Sequence, residues 1–178
     1  MPTVPEAVRP PATVPPRADP GEWARMRAFL VVTSRCWVFT GACADDGYGR
    51  FYAAPTPGET RSPSVRPSRW MWAAHNGPIP NGLVIRHRCD LTLCARPDCL
   101  LTGDQVDNLL DASRRDRITN MGRVGKADKR GAELAALAIR TALLAAVGSG
   151  VVDPGALAAV VAATQAAGDP YANQSRLF

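Results

Sequence analysis

Aromatic side chains are sparse in this chain, 6% of 178 residues, and His75 and His87 are its only imidazoles. With proline and glycine raised to 16 and 15 residues, the core has to be modest. A length of this order suits one domain of roughly 100–150 residues with appendages and excludes a large multidomain enzyme. No apolar run reaches the ~20 residues that a membrane span needs. The alanine-rich stretch Thr141–Gly168 is broken by Gly148, Gly150, Asp153 and Pro154. Residues 1–21 combine prolines with acids and have no apolar centre, so no secretory leader is expected there and the compartment is expected to be cytoplasmic. Five cysteines, an odd number, then argue for thiols used as ligands or left reduced and against a disulfide scaffold.

What is present is unevenly placed. The net charge is +5, and one stretch holds all of it. Between Ser113 and Arg130, seven cations (Arg114, Arg115, Arg117, Arg123, Lys126, Lys129, Arg130) face two acids, Asp116 and Asp128. Such a block favours a polyanionic partner over a neutral metabolite.

The order of segments follows from proline, glycine and apolar spacing. Residues 1–18 form a proline-rich tail expected to be disordered or extended. Asp19-Pro20 is a helix start, with Trp23, Met26, Phe29 and Leu30 at helical spacing to about Val32. Cys36–Thr40 and Arg50–Ala53 are expected to form a hairpin joined through Ala44–Gly49, and Pro55–Pro67 a loop. Ser68 is expected to cap a short helix from Arg69 to about His75, stopped by Asn76-Gly77-Pro78. Leu83–Ile85 is a strand delivering His87, Cys99–Leu101 is expected to pair back with it, and Asp104 to about Ser113 is helical with Val106, Leu109 and Leu110 on one face. After a basic linker, 113–130, the segment 131–168 reads as an apolar helical hairpin. Leu134, Leu137, Ala138, Thr141, Leu144 and Ala145 lie on its first helix, and Asp153-Pro154 starts the second. Residues 169–178 are a tail. The hairpin must pack on the core or on a second copy of the chain.

The informative run is Leu83–Asp111. Cys89, Cys94 and Cys99 are evenly spaced, four residues in each gap, in a polar context. Thiolates favour tetrahedral zinc, and a closed structural site needs four donors, so a fourth must come from elsewhere, and Cys36 and Cys43 are the only other cysteines. His87, two residues before Cys89, shares its strand face and is open to two uses, as a zinc ligand or as a base near neutral pH.

The pattern H-x-C-D-x-x-x-C-x-x-P-x-C-L-x-x-G-x-x-x-D-N, from His87 to Asn108, is preceded by GYGRF and by HNGPIPNGLVIRH. It resembles the HNH (His-Me finger, ββα-metal) endonucleases, in particular the zinc-stapled branch that includes the His-Cys box homing endonucleases and phage and actinobacterial HNH proteins. The resemblance covers about Cys36 to Asp111. It implies an α+β fold: a small zinc-stapled ββα-metal nuclease core, over 19–112, followed by the helical hairpin. It also implies roles. His87 becomes the general base, and Asn108 the ligand of a catalytic divalent cation, most plausibly magnesium. Cys89, Cys94 and Cys99 become ligands of one structural zinc, with Cys36 the better fourth donor and Cys43 in reserve. Arg69 matches an arginine that contacts the scissile phosphate, and Arg50 is the next candidate.

Phosphodiester hydrolysis needs an in-line water, a base, and positive charge on the phosphoryl and leaving oxygens. The imidazole must be neutral to accept a proton, so activity should fall below the ordinary histidine pKa of ~6.5. The expected substrate is double-stranded DNA, cut to 5′-phosphate and 3′-hydroxyl ends in a bacterial or phage-infected cell, with the basic block tracking phosphates and the hairpin offering a homodimer interface. Two departures stand out. Arg86 occupies the position of a metal-binding aspartate, and Arg96 that of an asparagine that braces the loop. They keep a second reading in play, a catalytically inactive zinc-stapled DNA-binding module. His75 is read as a capping or packing residue and Trp37, Trp70 and Trp72 as core. Asp90 and Asp107 are read as loop-capping or solvated groups.

Overall fold

The computed structural model describes residues 17–55, 60–114 and 127–171. Helix α1 (Pro20–Ala28) starts where Asp19 accepts hydrogen bonds from the N–H groups of Gly21 and Glu22, at 2.9 and 3.0 Å. It buries Trp23 and Met26. The helix stops earlier than its apolar spacing predicts. Leu30-Val31-Val32 form strand β1, because two adjacent β-branched residues with both faces covered suit a strand better than a helix end.

Strand β2 (Trp37–Phe39) pairs antiparallel with β1, Leu30 opposite Phe39 and Val32 opposite Trp37. The expected hairpin between 36–40 and 50–53 is therefore not formed. Thr40 extends the β1–β2 pairing by one rung, donating both its N–H and its hydroxyl to the Phe29 carbonyl, each at 2.8 Å. The chain then makes a separate short strand, β3 (Ala42–Cys43), and it is this one that pairs with β4 (Gly49–Tyr52). Strand β5 (Ser64–Val65), inside the segment read as a loop, covers the other edge of β4.

Helix α2 (Pro67–Asn76) begins before the predicted start, with Arg66 at the cap position and Pro67 opening the first turn; Ser68 is buried and does not cap. Next comes the unit that positions the site. Strands β6 (Val84–His87) and β7 (Leu100–Gly103) pair from Val84–Gly103 to His87–Leu100, and α3 (Gln105–Arg114) follows. Asp104 and Asp107 cap α3 reciprocally, each carboxylate accepting the other's backbone N–H, at 2.8 and 3.2 Å. The loop 88–99 crosses between the strands, closing in a 3-10 turn at Pro97–Cys99. Two strands and a helix in this order make a small ββα unit within an α+β fold.

The hairpin consists of α4 (Ala132–Gly148) and α5 (Pro154–Gly168), and Asp153 caps the latter. Its buried positions are Ala136, Ile139, Leu143, Val147, Leu157, Val161 and Gly168. On α4 this is a different stripe from the one that spacing suggested, and Leu134 is 57% exposed. An alanine-rich helix is apolar nearly all round, so periodicity alone does not select its inner face.

Alternation along β1 and β2 separates two cores. Leu30 and Phe39 join Trp23, Met26, Phe51 and Met71 on one side. Val31 and Val38 face the other side, with Leu91, Leu93 and the hairpin residues. The hairpin thus packs on the chain's own cysteine loop. Arg140 Nε donates to the Thr40 carbonyl at 2.8 Å and the Ser34 N–H to the Pro154 carbonyl at 2.9 Å. Trp37, Trp70 and Trp72 are half-buried against the first core, and Trp70 stacks on Trp23. No helix among the described residues is long and apolar enough to cross a membrane.

Leu143, fully buried where α4 meets the cysteine loop, is the test of this packing. Leu143→Ala should lower stability by about 2–5 kcal/mol in denaturant titration. A loss below about 1 kcal/mol would place the hairpin outside the core.

Candidate active site

The loop after β6 brings three cysteines back toward the turn between β1 and β2, where Cys36 sits. The sulfur atoms of Cys36, Cys89, Cys94 and Cys99 all lie within 4.8 Å of one another. Four sulfurs around one zinc, each about 2.3 Å from it, are roughly 3.8 Å apart, so this set has the donors and the spacing to hold the ion. Cys43, the reserve candidate, lies elsewhere, on β3, with its thiol pushed up by burial.

Crowding perturbs the four thiols. Cys89 is drawn down to about 2 by hydrogen bonds from Cys36 and then Cys94, and Cys99 is lowered chiefly by Cys94. Cys36 is pushed up to about 12, first by its hydrogen bond with Cys89, and Cys94 is pushed up by Cys36, Cys89 and Cys99.

Backbone contacts bind this loop to β2. The Phe39 N–H donates to the Leu93 carbonyl and the Ala95 N–H to the Trp37 carbonyl, both at 2.8 Å. The Arg96 N–H points at Cys94 Sγ, at 3.5 Å. Arg96, expected from the resemblance to lack the brace of an asparagine, contacts the β1–β2 turn through its side chain. Its guanidinium donates to the carbonyls of Ser34 and Arg35, at 3.4 and 3.3 Å, and pairs with Asp98.

His87, at the end of β6, is only 7% exposed. Its Nε2 lies 3.0 Å from the Cys94 carbonyl oxygen. A carbonyl only accepts, so in the neutral ring the proton belongs to Nε2 and the lone pair to Nδ1. His87 shares a small cleft of roughly 50 Å³ with Tyr48, Arg86, Asp90, Thr92, Asn108 and Asp111. Asp90 adopts the left-handed conformation (φ 63°), which an aspartate tolerates, and turns the chain sharply after Cys89. Asn108, exposed on the second turn of α3, reaches the same cleft. These side chains offer an amide oxygen and carboxylates, the hard donors that magnesium prefers.

A cationic rim adjoins the cleft. The Tyr48 ring is 6.0 Å from the His87 ring, centroid to centroid, and the Arg66 guanidinium lies over Tyr48 at 3.9 Å. Asp46 pairs with both Arg66 and Arg50, at 2.9 and 3.2 Å. Burial pushes the Asp46 carboxyl up, yet the Tyr48 N–H and the Arg66 and Arg50 guanidiniums outweigh it and hold it below its ordinary value. Two guanidiniums against one carboxylate leave this rim positive. Sequence reasoning named Arg50 and missed Arg66, whose place over the Tyr48 ring only the fold reveals.

Other expected residues lie apart. Arg69 is exposed on α2, outside the lining of the cleft. His75 Nδ1 lies 2.9 Å from the Met71 carbonyl within its own helix, a packing arrangement. Of the basic block, Arg114 and Lys129 are exposed. Arg130 is engaged with Asp128 at 2.6 Å and with the Thr164 carbonyl at 2.9 Å, tying the start of the hairpin to its end. Arg115, Arg117, Arg123 and Lys126 lie outside the described residues, as does the proline-rich stretch 1–16.

A family model described as HNH endonuclease matches residues 67–115, from α2 through α3. Protein 7.7 of Escherichia phage T7 is 31% identical over 112 residues, which is 61% of this chain and 76% of that protein. No solved structure matches the chain significantly. With the ββα unit and the histidine cleft, these findings identify the class: the chain belongs to the HNH endonuclease family.

The cysteine cluster generates a discriminating test. Structural zinc contributes an apparent ~10–16 kcal/mol to folding in small zinc modules, so losing one ligand should be severe. Elemental analysis should find one zinc per chain, retained in Cys43→Ser and lost in Cys36→Ser and Cys94→Ser with a large drop in Tm. Zinc lost from Cys43→Ser and kept in Cys36→Ser would refute this grouping.

Proposed function

We propose that the protein is a metal-dependent endonuclease that hydrolyses phosphodiester bonds of double-stranded DNA. The observation that carries this reading is the hydrogen bond from His87 Nε2 to the Cys94 carbonyl, beside Asn108 in one polar cleft. Held in that way, His87 presents Nδ1 to take the proton of an attacking water. The water oxygen bonds to phosphorus as the P–O3′ bond breaks and O3′ takes a proton from solvent water, leaving 5′-phosphate and 3′-hydroxyl ends. Asn108 is the residue proposed to hold the catalytic divalent cation through its amide oxygen. A cation bound there, magnesium above all, supplies Lewis-acid stabilisation of the phosphoryl and leaving oxygens.

Arg66 and Arg50 are the guanidiniums best placed to meet the DNA backbone next to the scissile bond, since Asp46 and Tyr48 already hold them at the rim. Arg69, on the exposed face of α2, is assigned a more distant phosphate. Arg114 and Lys129, with Arg115, Arg117, Arg123 and Lys126, are proposed to track phosphates farther along the duplex. Arg130 is assigned instead to its ion pair with Asp128. The cysteine cluster, holding one zinc, serves the fold and takes no part in proton transfer. The units proposed are a nuclease domain over 19–112, a basic DNA-contacting linker over 113–130 and the hairpin over 131–168.

The test is nicking of supercoiled plasmid with magnesium. Wild type should cut, and His87→Ala should lose about 10²–10⁴-fold in rate while keeping its affinity for DNA. DNA binding without cleavage by either protein would favour the inactive, zinc-stapled binding module.

Affinity should also fall steeply with salt, with log–log slope of about −0.9 per phosphate contact. Arg66→Ala should weaken cleavage more than Arg69→Ala does. The reverse order, measured under identical salt, would remove Arg66 from the scissile phosphate.

A further inference from the structure

We propose that Arg86 is a positioning residue: its guanidinium latches α3 onto β6 through Asp111 and Asp107, and so sets where Asn108 stands in the cleft. The consequence for catalysis rests on the nuclease reading above, whereas the latch itself rests on geometry alone.

Helix α3 is not held by apolar burial. None of its residues is buried, and Val106, Leu109 and Leu110 are 64%, 53% and 48% exposed. Its inner side carries charge instead. Arg86, with a side chain only 16% exposed, reaches from β6 to Asp111 at 2.7 Å and to Asp107 at 3.7 Å. Its Nη2 also donates to the Thr102 carbonyl, at 3.4 Å. Asp107 and Asp111 are four residues apart and so share one helix face, with Asn108 directly beside Asp107. One planar guanidinium spanning both carboxylates fixes the rotation of the helix as well as its distance.

Gly103 leaves the room for this arrangement. A methyl group there would overlap Arg86 Nε and would lie 2.7 Å from Asp107 Oδ2. Arg86 Nε is itself buried with no hydrogen-bond partner among the described residues, so the polar interactions seen for this residue run through its two Nη groups, two of them toward α3. The arginine that replaces an aspartate before the base is therefore built into the site. It trades a direct metal contact for control over the helix that bears Asn108.

Hydrogen exchange on the zinc-loaded, full-length protein tests the latch, alongside the magnesium dependence of nicking. Arg86→Gln should speed exchange of the 105–114 amides at least about tenfold while α4 and α5 keep their protection. The magnesium concentration for half-maximal nicking should rise several-fold, with a smaller change in the rate at saturation. Gly103→Ala should shift both readouts in the same direction with the arginine intact, and Arg86→Lys should restore them only partly. Unchanged α3 exchange in both Arg86→Gln and Gly103→Ala would overturn the proposal. Should Arg86→Gln lose its zinc and unfold, Gly103→Ala and Arg86→Lys carry the decision. If wild type does not cut DNA, the nuclease reading fails while exchange still decides the latch.

Discussion

The rest of the structure depends on four sulfur atoms meeting. Cys36 lies at the turn between two short strands, and Cys89, Cys94 and Cys99 lie in a loop more than fifty residues later. Neither segment has enough apolar surface to fold by itself. Strands of two to four residues and a sparse set of aromatic rings give a small domain little with which to offset chain entropy. Gathering the sulfurs joins β2 to the loop, as the bridge between Val38 and Cys94 records. It also gives the hairpin a surface to cover, since Cys36 and Cys94 belong to the same buried cluster as Leu143 and Leu157.

The same loop that fastens the fold also holds the ring of His87. Cys94 contributes its sulfur to the cluster and its carbonyl to His87 Nε2. A change in the cluster therefore reaches the imidazole through a single residue. Around it, arginines do mechanical work of different kinds. Arg96 ties the cysteine loop to the carbonyls of the β1–β2 turn, Arg130 closes the hairpin, and Arg66 lies over the Tyr48 ring beside the histidine. A basic composition here serves the architecture as much as any polyanionic partner.

Much of the site was legible in the sequence because its members are close together and chemically distinctive. The even spacing of three cysteines implied a fourth donor, and the residues from His87 to Asn108 carried the family pattern by themselves. What escaped depends on tertiary context. Trp37–Phe39 and Arg50–Tyr52 each read correctly as strands, but the first pairs with Leu30–Val32, which read as a helix end, and the second with Ala42–Cys43 and Ser64–Val65. The inner face of α4 was illegible because alanine and leucine surround it. Arg66 and Arg86 were not recognised for what they contact, since neither the ring beneath one nor the carboxylates facing the other are visible without the fold.

The central claim is that the cysteine loop fixes the orientation of His87 and so assigns its proton. Nitrogen-15 spectra of the zinc-loaded protein, with histidine labelled, read this directly. The account predicts that the neutral ring of His87 carries its proton on Nε2, hydrogen-bonded, with Nδ1 bearing the lone pair. A neutral ring protonated on Nδ1 would contradict it.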